Sequence, residues 1–213
     1  MRLESVNRSL PRSMTLLDRE VVTGIDKEPL DGPVAVTRDG LDGDGVGNPR
    51  DHGGPDQAVY LYGLDDYAWW AEAEGLAVHP GLFGENLTLS QLTSATVEVG
   101  DRYIVEPVEL EVTAPRIPCR TLAGRVGDGG FAARFAGGRR PGAYVRVITG
   151  GSLAAGDAVA MARSGSGVTL LDCVDAYYDP AMPRAEVERL LSAPLADRFR
   201  TMLQSRLCGA SRP

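Results

Sequence analysis

Cys119 closes the run Thr113-Ala114-Pro115-Arg116-Ile117-Pro118-Cys119-Arg120. Two prolines fix φ around it and stiffen the segment. Arg116 and Arg120 flank it, and positive neighbours lower a thiol's pKa. They favour the thiolate, the form that attacks electrophiles or binds metal. Soft thiolate sulfur suits a sulfur-loving metal. The competing reading is a buried apolar cysteine beside a surface arginine; the Pro-Arg-Ile-Pro frame tips the balance towards chemistry.

Three further groups could serve such a site. His52 sits in Asp51-His52-Gly53-Gly54-Pro55-Asp56-Gln57-Ala58-Val59-Tyr60. Gly53 and Gly54 would let backbone N–H groups approach a ligand closely, while His52 or Asp56 could hydrogen-bond it or move a proton. The segment reads equally as a tight turn into a strand, with His52 as a capping donor. Asn86, in Phe83-Gly84-Glu85-Asn86-Leu87, offers both donor and acceptor, although an ordinary loop entering a strand explains it as well. Arg146 alternates with Val145 and Val147, so it points either at an anion or into solvent. Asp44 stands out among the Gly-Asp pairs because Gly-rich sequence surrounds it just before His52. A zinc site is not expected, since only two histidines exist and His79 has no ligand-spaced partner.

The elements that must hold these residues are mostly short strands. Apolar or alternating runs recur at 34–36, 58–62, 97–99, 103–105, 108–112, 144–148 and 159–161, separated by Gly-containing turns. That pattern predicts an all-β barrel or sandwich. A short helix is expected over 65–75, capped by Asp65 or Asp66 and ended by Gly75. After Ala162, Ser164-Gly165-Ser166-Gly167 has the composition of a flexible linker. Beyond it the apolar period becomes helical. Val187, Leu190 and Leu191 share one face of a helix that Pro183 starts, and Leu195, Phe199, Met202, Leu203 and Leu207 share a face of another begun near Pro194. Gly209 to Pro213 reads as frayed. The expected organisation is a β domain over 1–163 and a small helical domain over 168–208.

Lys and Arg total 22 against 29 Asp and Glu, a net charge of −7. That gives little generic attraction for nucleic acid or an anionic membrane. Three widely spaced cysteines do not form a disulfide framework. Cys173 and Cys208 read as structural or incidental. With no leader-like start and no membrane-length apolar run, a cytoplasmic protein with reduced thiols is expected.

Taken in order, Gly40-Leu41-Asp42-Gly43-Asp44, the His52 to Tyr60 block, Phe83-Gly84-Glu85-Asn86-Leu87, Gly100-Asp101-Arg102, Pro115 to Cys119, Gly142-Ala143-Tyr144-Val145-Arg146-Val147, Gly150-Gly151 and Gly156-Asp157 resemble the MOSC family, named for the C-terminus of molybdenum-cofactor sulfurase. The tail resembles the three-helix domain that follows MOSC in one bacterial subgroup. The resemblance implies a β-barrel with a few short helices and a molybdenum cofactor (Mo-molybdopterin) in an open, positively lined groove. It implies that Cys119 coordinates the metal or carries sulfur, with Gly53, Gly54, Asn86, Arg116, Arg146 and Asp44 around the cofactor. It further implies reduction of small N-hydroxylated compounds, such as hydroxylaminopurines and amidoximes, with electrons from a separate redox protein. A sulfur carrier or transferase using a Cys119 persulfide, a non-catalytic cofactor carrier and a domain that has lost its site are the alternatives. A homodimer is compatible with the helical tail. The chain departs from the family pattern at Gly45 to Asp51, at Ala114 where a glutamine is expected, and at Pro141.

Overall fold

The structure is a computed structural model that describes residues 1–49 and 52–208. Among these the strands are β1 (Leu3–Arg8), β2 (Arg12–Leu16), β3 (Arg19–Thr23), β4 (Glu28–Pro29), β5 (Val34–Thr37), β6 (Gly40–Leu41), β7 (Val59–Gly63), β8 (Leu87–Leu89), β9 (Arg102–Val105), β10 (Val108–Pro115), β11 (Ala143–Thr149), β12 (Gly151–Leu153) and β13 (Ala160–Ala162). The helices are α1 (Leu64–Glu74), α2 (Arg120–Val126), α3 (Phe131–Gly138), α4 (Leu170–Tyr178), α5 (Arg184–Leu191) and α6 (Asp197–Leu207).

Eight strands form one sheet in the order β13-β9-β10-β11-β7-β8-β1-β4, with β7 and β8 as its parallel pair. A three-stranded sheet (β12-β5-β6) and the β2–β3 hairpin stand beside it. The expected barrel is not present: the large sheet is open. One edge strand, β4, has two residues and ends on Pro29, which has no N–H to extend a ladder. The other, β13, has three exposed residues and pairs with β9. The start of β1 meets the segment before β13 through one bridge, Arg2 to Ala158, and three backbone hydrogen bonds, from Leu3 N–H to Asp157, Gly156 N–H to Leu3 and Val159 N–H to Met1, without forming a continuous ladder.

Strand β10 shows why the sequence folds this way. Val108, Leu110 and Val112 are buried, while Glu109 and Glu111 turn to Arg102 on β9. The short helix expected over 65–75 is α1. Its N-cap is Gly63 rather than an aspartate, because Asp66 is buried in the first turn, where it accepts bonds from Ser94 and pairs with Arg140. Gly75 ends it in the left-handed region at φ 62°. Helices α2 and α3 were not anticipated as separate elements. Their Leu122, Phe131 and Phe135 join Trp70, Tyr67 and Phe83 in an aromatic cluster; Phe131 and Phe135, at i, i+4, bury one face of a helix in glycine-rich sequence.

In the tail α5 begins at Arg184 directly after Pro183, the expected start, and α6 at Asp197 after an Ala196 cap. It packs on the sheet, with Leu170, Val187, Leu190, Phe199 and Leu203 in the same hydrophobic core as Leu3, Val99, Leu110 and Val145. The segment with a linker's composition is pinned: Ser164 N–H donates to Asp101, Gly167 N–H donates to Glu98, and the Gly167 carbonyl accepts from Arg189. The expected fraying of 209–213 lies outside the described residues. No described helix is long and apolar enough to cross a membrane.

Candidate functional site

Cys119 lies where β10 and its proline-stiffened extension end and α2 begins, at the N-cap of that helix. Leu122 and Ala123, one turn on, are buried in the aromatic cluster and hold the helix start in place. The sulfur is half-buried. Burial pushes its thiol up, but a hydrogen bond with His52 and the charge of Arg116 outweigh this and bring it down to about 6. The sulfur forms no regular capping bond, yet the Leu122 N–H adds to the same pull. Cys119 is therefore largely thiolate at neutral pH. Burial pushes Cys173 up to about 12, and it stays a thiol.

Arg116 is 7% exposed and lies with its guanidinium 5.0 Å from the centre of the Tyr60 ring. Burial opposes its charge, but Tyr144, Tyr60, Cys119 and Glu85 hold it firmly protonated. Its Nε is buried with no hydrogen-bond partner, and no described carboxylate pairs with it. Lys27, which the sequence did not single out, is also 7% exposed. Burial pushes its ammonium below the usual range, opposed by a close ion pair with Asp44.

These groups line a cleft of about 140 Å³, or about 770 Å³ with its open mouth, between the β3 end, the loop that carries Asp44 and Gly47, and the strands β7 and β11. Gly47 permits the close approach: a Cβ there would sit 1.9 Å from the Val22 carbonyl oxygen. The structure thus brings Cys119, His52, Gly53, Arg116, Asn86 and Asp44 to one cleft, with Lys27, Tyr60 and Tyr144. Asn86 is committed to the wall, accepting from the Tyr60 N–H at 3.0 Å and donating to Asp44 at 2.8 Å. Gly54 does not line the cleft; it precedes a short helical turn at Pro55–Gln57.

Asp56 and Arg146 are not brought there. Arg146 Nε lies 3.0 Å from Asp56, and its guanidinium also contacts Glu111 and the Pro194 and Leu195 carbonyls. Asp56 accepts the Asp197 N–H that opens α6. Both residues dock the helical tail on the sheet. Their sequence context did not reveal this, because their partners lie up to 141 residues away. Lys27 carried no sequence signal at all, since its site is assembled from β-loop neighbours distant in the chain. Part of the atypical stretch before His52, Arg50 and Asp51, lies outside the described residues. Among those described, no three His, Cys, Asp or Glu residues gather as a metal site.

Residues 48–160 match the family model of the MOSC domain, and 168–209 match that of the YiiM-like, 3-alpha helix domain. YflK of Bacillus subtilis (strain 168) is 30% identical over 198 residues, 92% of this chain and 90% of that protein. A protein named Reductase from Gibberella moniliformis (strain M3125 / FGSC 7600) is 34% identical over 149 residues, 68% of this chain but 26% of that protein. The crystal structure of YiiM from Geobacillus stearothermophilus superposes with a TM-score of 0.78 at 28% identity, covering 97% of this chain and 98% of that one. The chain belongs to the MOSC domain family, with a YiiM-like three-helix domain at its C-terminal end.

Proposed function

We propose that this protein binds a molybdenum–pterin cofactor in the Cys119 cleft and reduces small N-hydroxylated compounds to the parent amines. The observation that carries this reading is the Cys119 sulfur itself. It is half-buried at a cleft that holds the buried cation Arg116, and it is held as thiolate by His52 and Arg116. The donor set fits the group. A thiolate is the ligand a sulfur-loving metal takes. Arg116, buried with an unsatisfied Nε, suits an anionic pterin phosphate. Family membership and the relative named Reductase favour redox chemistry.

When bound, the cofactor supplies two-electron chemistry at the N–OH group, with electrons from a separate redox protein and loss of the oxygen as water. The chain's own residues do the rest. Cys119 anchors the metal side. Arg116, buried without a carboxylate partner, offsets negative charge, while Lys27 is committed to Asp44 in the cleft wall. His52, hydrogen-bonded to the sulfur, can hold or move a proton at Sγ. Gly53 brings backbone to the cleft wall without a side chain in the way.

A low-pKa thiolate would equally bear a persulfide, so the test must separate the two. Molybdenum and pterin content of protein from a cofactor-producing host should approach one per chain and disappear in Cys119→Ala. A folded wild-type protein with no metal, but with cyanide-labile sulfur on Cys119, would replace the reductase reading with a sulfur-carrier one. Bound cofactor without turnover of any N-hydroxylated compound under a strong artificial reductant would leave a cofactor carrier.

A further inference from the structure

Of the 22 Lys and Arg residues in the chain, Lys27 is the only lysine. Surface charge and ion pairs elsewhere are left to arginine. The one amine side chain is buried in the wall of the Cys119 cleft, 7% exposed. A guanidinium stays charged wherever it is placed, whereas an amine can give up its proton and attack carbon. We infer that Lys27 is a covalent binding site for small carbonyl compounds that bear an anionic group, the carbonyl condensing with Nζ as an imine and the anion resting on Arg116.

Three observations support the assignment. Asp44 is fixed by the Ser9 N–H at 2.9 Å and the Asn86 amide at 2.8 Å, so the carboxylate that pairs with Lys27 holds Nζ at one point of the wall. Burial, its largest influence, and the charge of Arg116 press Lys27 towards the neutral amine; Asp44 and Glu85 oppose them, and the ammonium remains below the ordinary lysine range. Arg116 lines the same cleft, and its buried Nε has no partner. A cavity of roughly 150 Å³ admits a molecule the size of benzene, so the enclosed part of the cleft, about 140 Å³, takes a short-chain carbonyl compound. In the reaction the ammonium passes a proton to the Asp44 carboxylate and Nζ adds to the carbonyl carbon. The carbinolamine oxygen is then protonated and leaves as water as the C=N bond forms. No electrons are transferred, and hydrolysis reverses the step. The inference does not depend on the proposed function, although an imine at Lys27 and a cofactor in this cleft would exclude one another.

The test uses the full chain purified from a host that makes no molybdenum cofactor. Glyceraldehyde 3-phosphate is the probe, and glyceraldehyde, which differs only in lacking the phosphate, is its control. Cyanoborohydride traps any imine as a stable amine, and mass spectrometry of peptides reads labelling at Lys27 against the N-terminal amine as internal reference. Labelling of Lys27 should saturate with the phosphorylated aldehyde, while labelling of the N-terminal amine rises linearly. Glyceraldehyde should need at least about tenfold more for half-saturation. Arg116→Gln should abolish most of that preference, with thermal melts verifying that the variant folds. Labelling of Lys27 that does not saturate, or none where the N-terminal amine is labelled, would overturn the assignment. Equal half-saturation by the two aldehydes, or an undiminished preference in folded Arg116→Gln, would overturn it as well. Saturable labelling in a protein that takes up no molybdenum would support the amine site and remove the cofactor reading; metal binding without labelling of the cofactor-free chain would do the reverse.

Discussion

Cys119 concentrates the chemistry, and its behaviour follows from two neighbours. With its thiol near 6, the rate of iodoacetamide alkylation at Cys119 should rise through a midpoint close to pH 6. Replacing Arg116 by Gln removes a favourable charge and should move that midpoint up towards the ordinary thiol range of about 8.5. An unshifted midpoint in a folded variant would show that Arg116 does not hold the thiolate. The sign also sets a stability dependence. The folded thiol is depressed below its unfolded value, so ionisation stabilises the folded chain fully above about pH 8.5 and that gain is lost as pH falls through about 6. Denaturant melts at several pH values should show wild type gaining on Cys119→Ala between those limits. Glu85 is the opposite kind of buried acid. Burial pushes it up while Tyr67, the Gly81 N–H and Thr88 hold one of its oxygens. It braces the loop before β8 and does not line the cleft, but from behind the wall it favours the charged forms of Arg116 and Lys27.

At the scale of elements, the join between the Pro55–Gln57 turn, β11 and α6 is the least obvious feature. Asp56 receives the Asp197 N–H and pairs with Arg146, which in turn reaches two carbonyls just before α6. Asp56→Ala removes the carboxylate that receives the first α6 amide and one of the two carboxylate partners of Arg146, at a cost of about 2 kcal/mol. Urea unfolding should show that loss, and hydrogen exchange should quicken at the first amides of α6. If exchange there is unchanged, the contact does not dock the helix. The same contact explains why two polar residues that looked like site residues are not at the site. Their chemistry was visible in the sequence, but a carboxylate and a guanidinium suit an interface as well as an anion pocket. Only the position of α6 decided between these uses.

At the scale of the whole molecule, the tail is not an independent module energetically. Leu170, Val187, Leu190, Leu195, Phe199 and Leu203 are buried in the core that the sheet also uses. Each such side chain contributes roughly 1.5–3 kcal/mol on burial, and their sum is comparable with the entire stability of a domain. A chain ending at residue 163 should therefore lose cooperative thermal unfolding. A truncated chain that melts sharply at the wild-type temperature would show that the β region is self-sufficient. The same truncation removes one wall of a cavity beside Cys119.

Local chemistry was legible in the sequence wherever it depended on neighbours along the chain. The Pro-framed Cys119 between arginines, the alternation of Val108, Leu110 and Val112, the Gly75 stop and the Pro183 helix start all act within a few residues, and the ordered motifs were enough to point to the MOSC family. Tertiary structure alone decided the rest. It left the sheet without a closed barrel: β4 ends on Pro29, and the start of β1 meets the segment before β13 through one bridge and a few hydrogen bonds rather than a ladder. It buried Lys27 beside Asp44, took Asp56 and Arg146 for the tail, and folded α6 over Cys119 to make a second cavity. Each of these outcomes depends on residues far apart in the chain, and one sequence carries no record of which distant groups will share a dry contact.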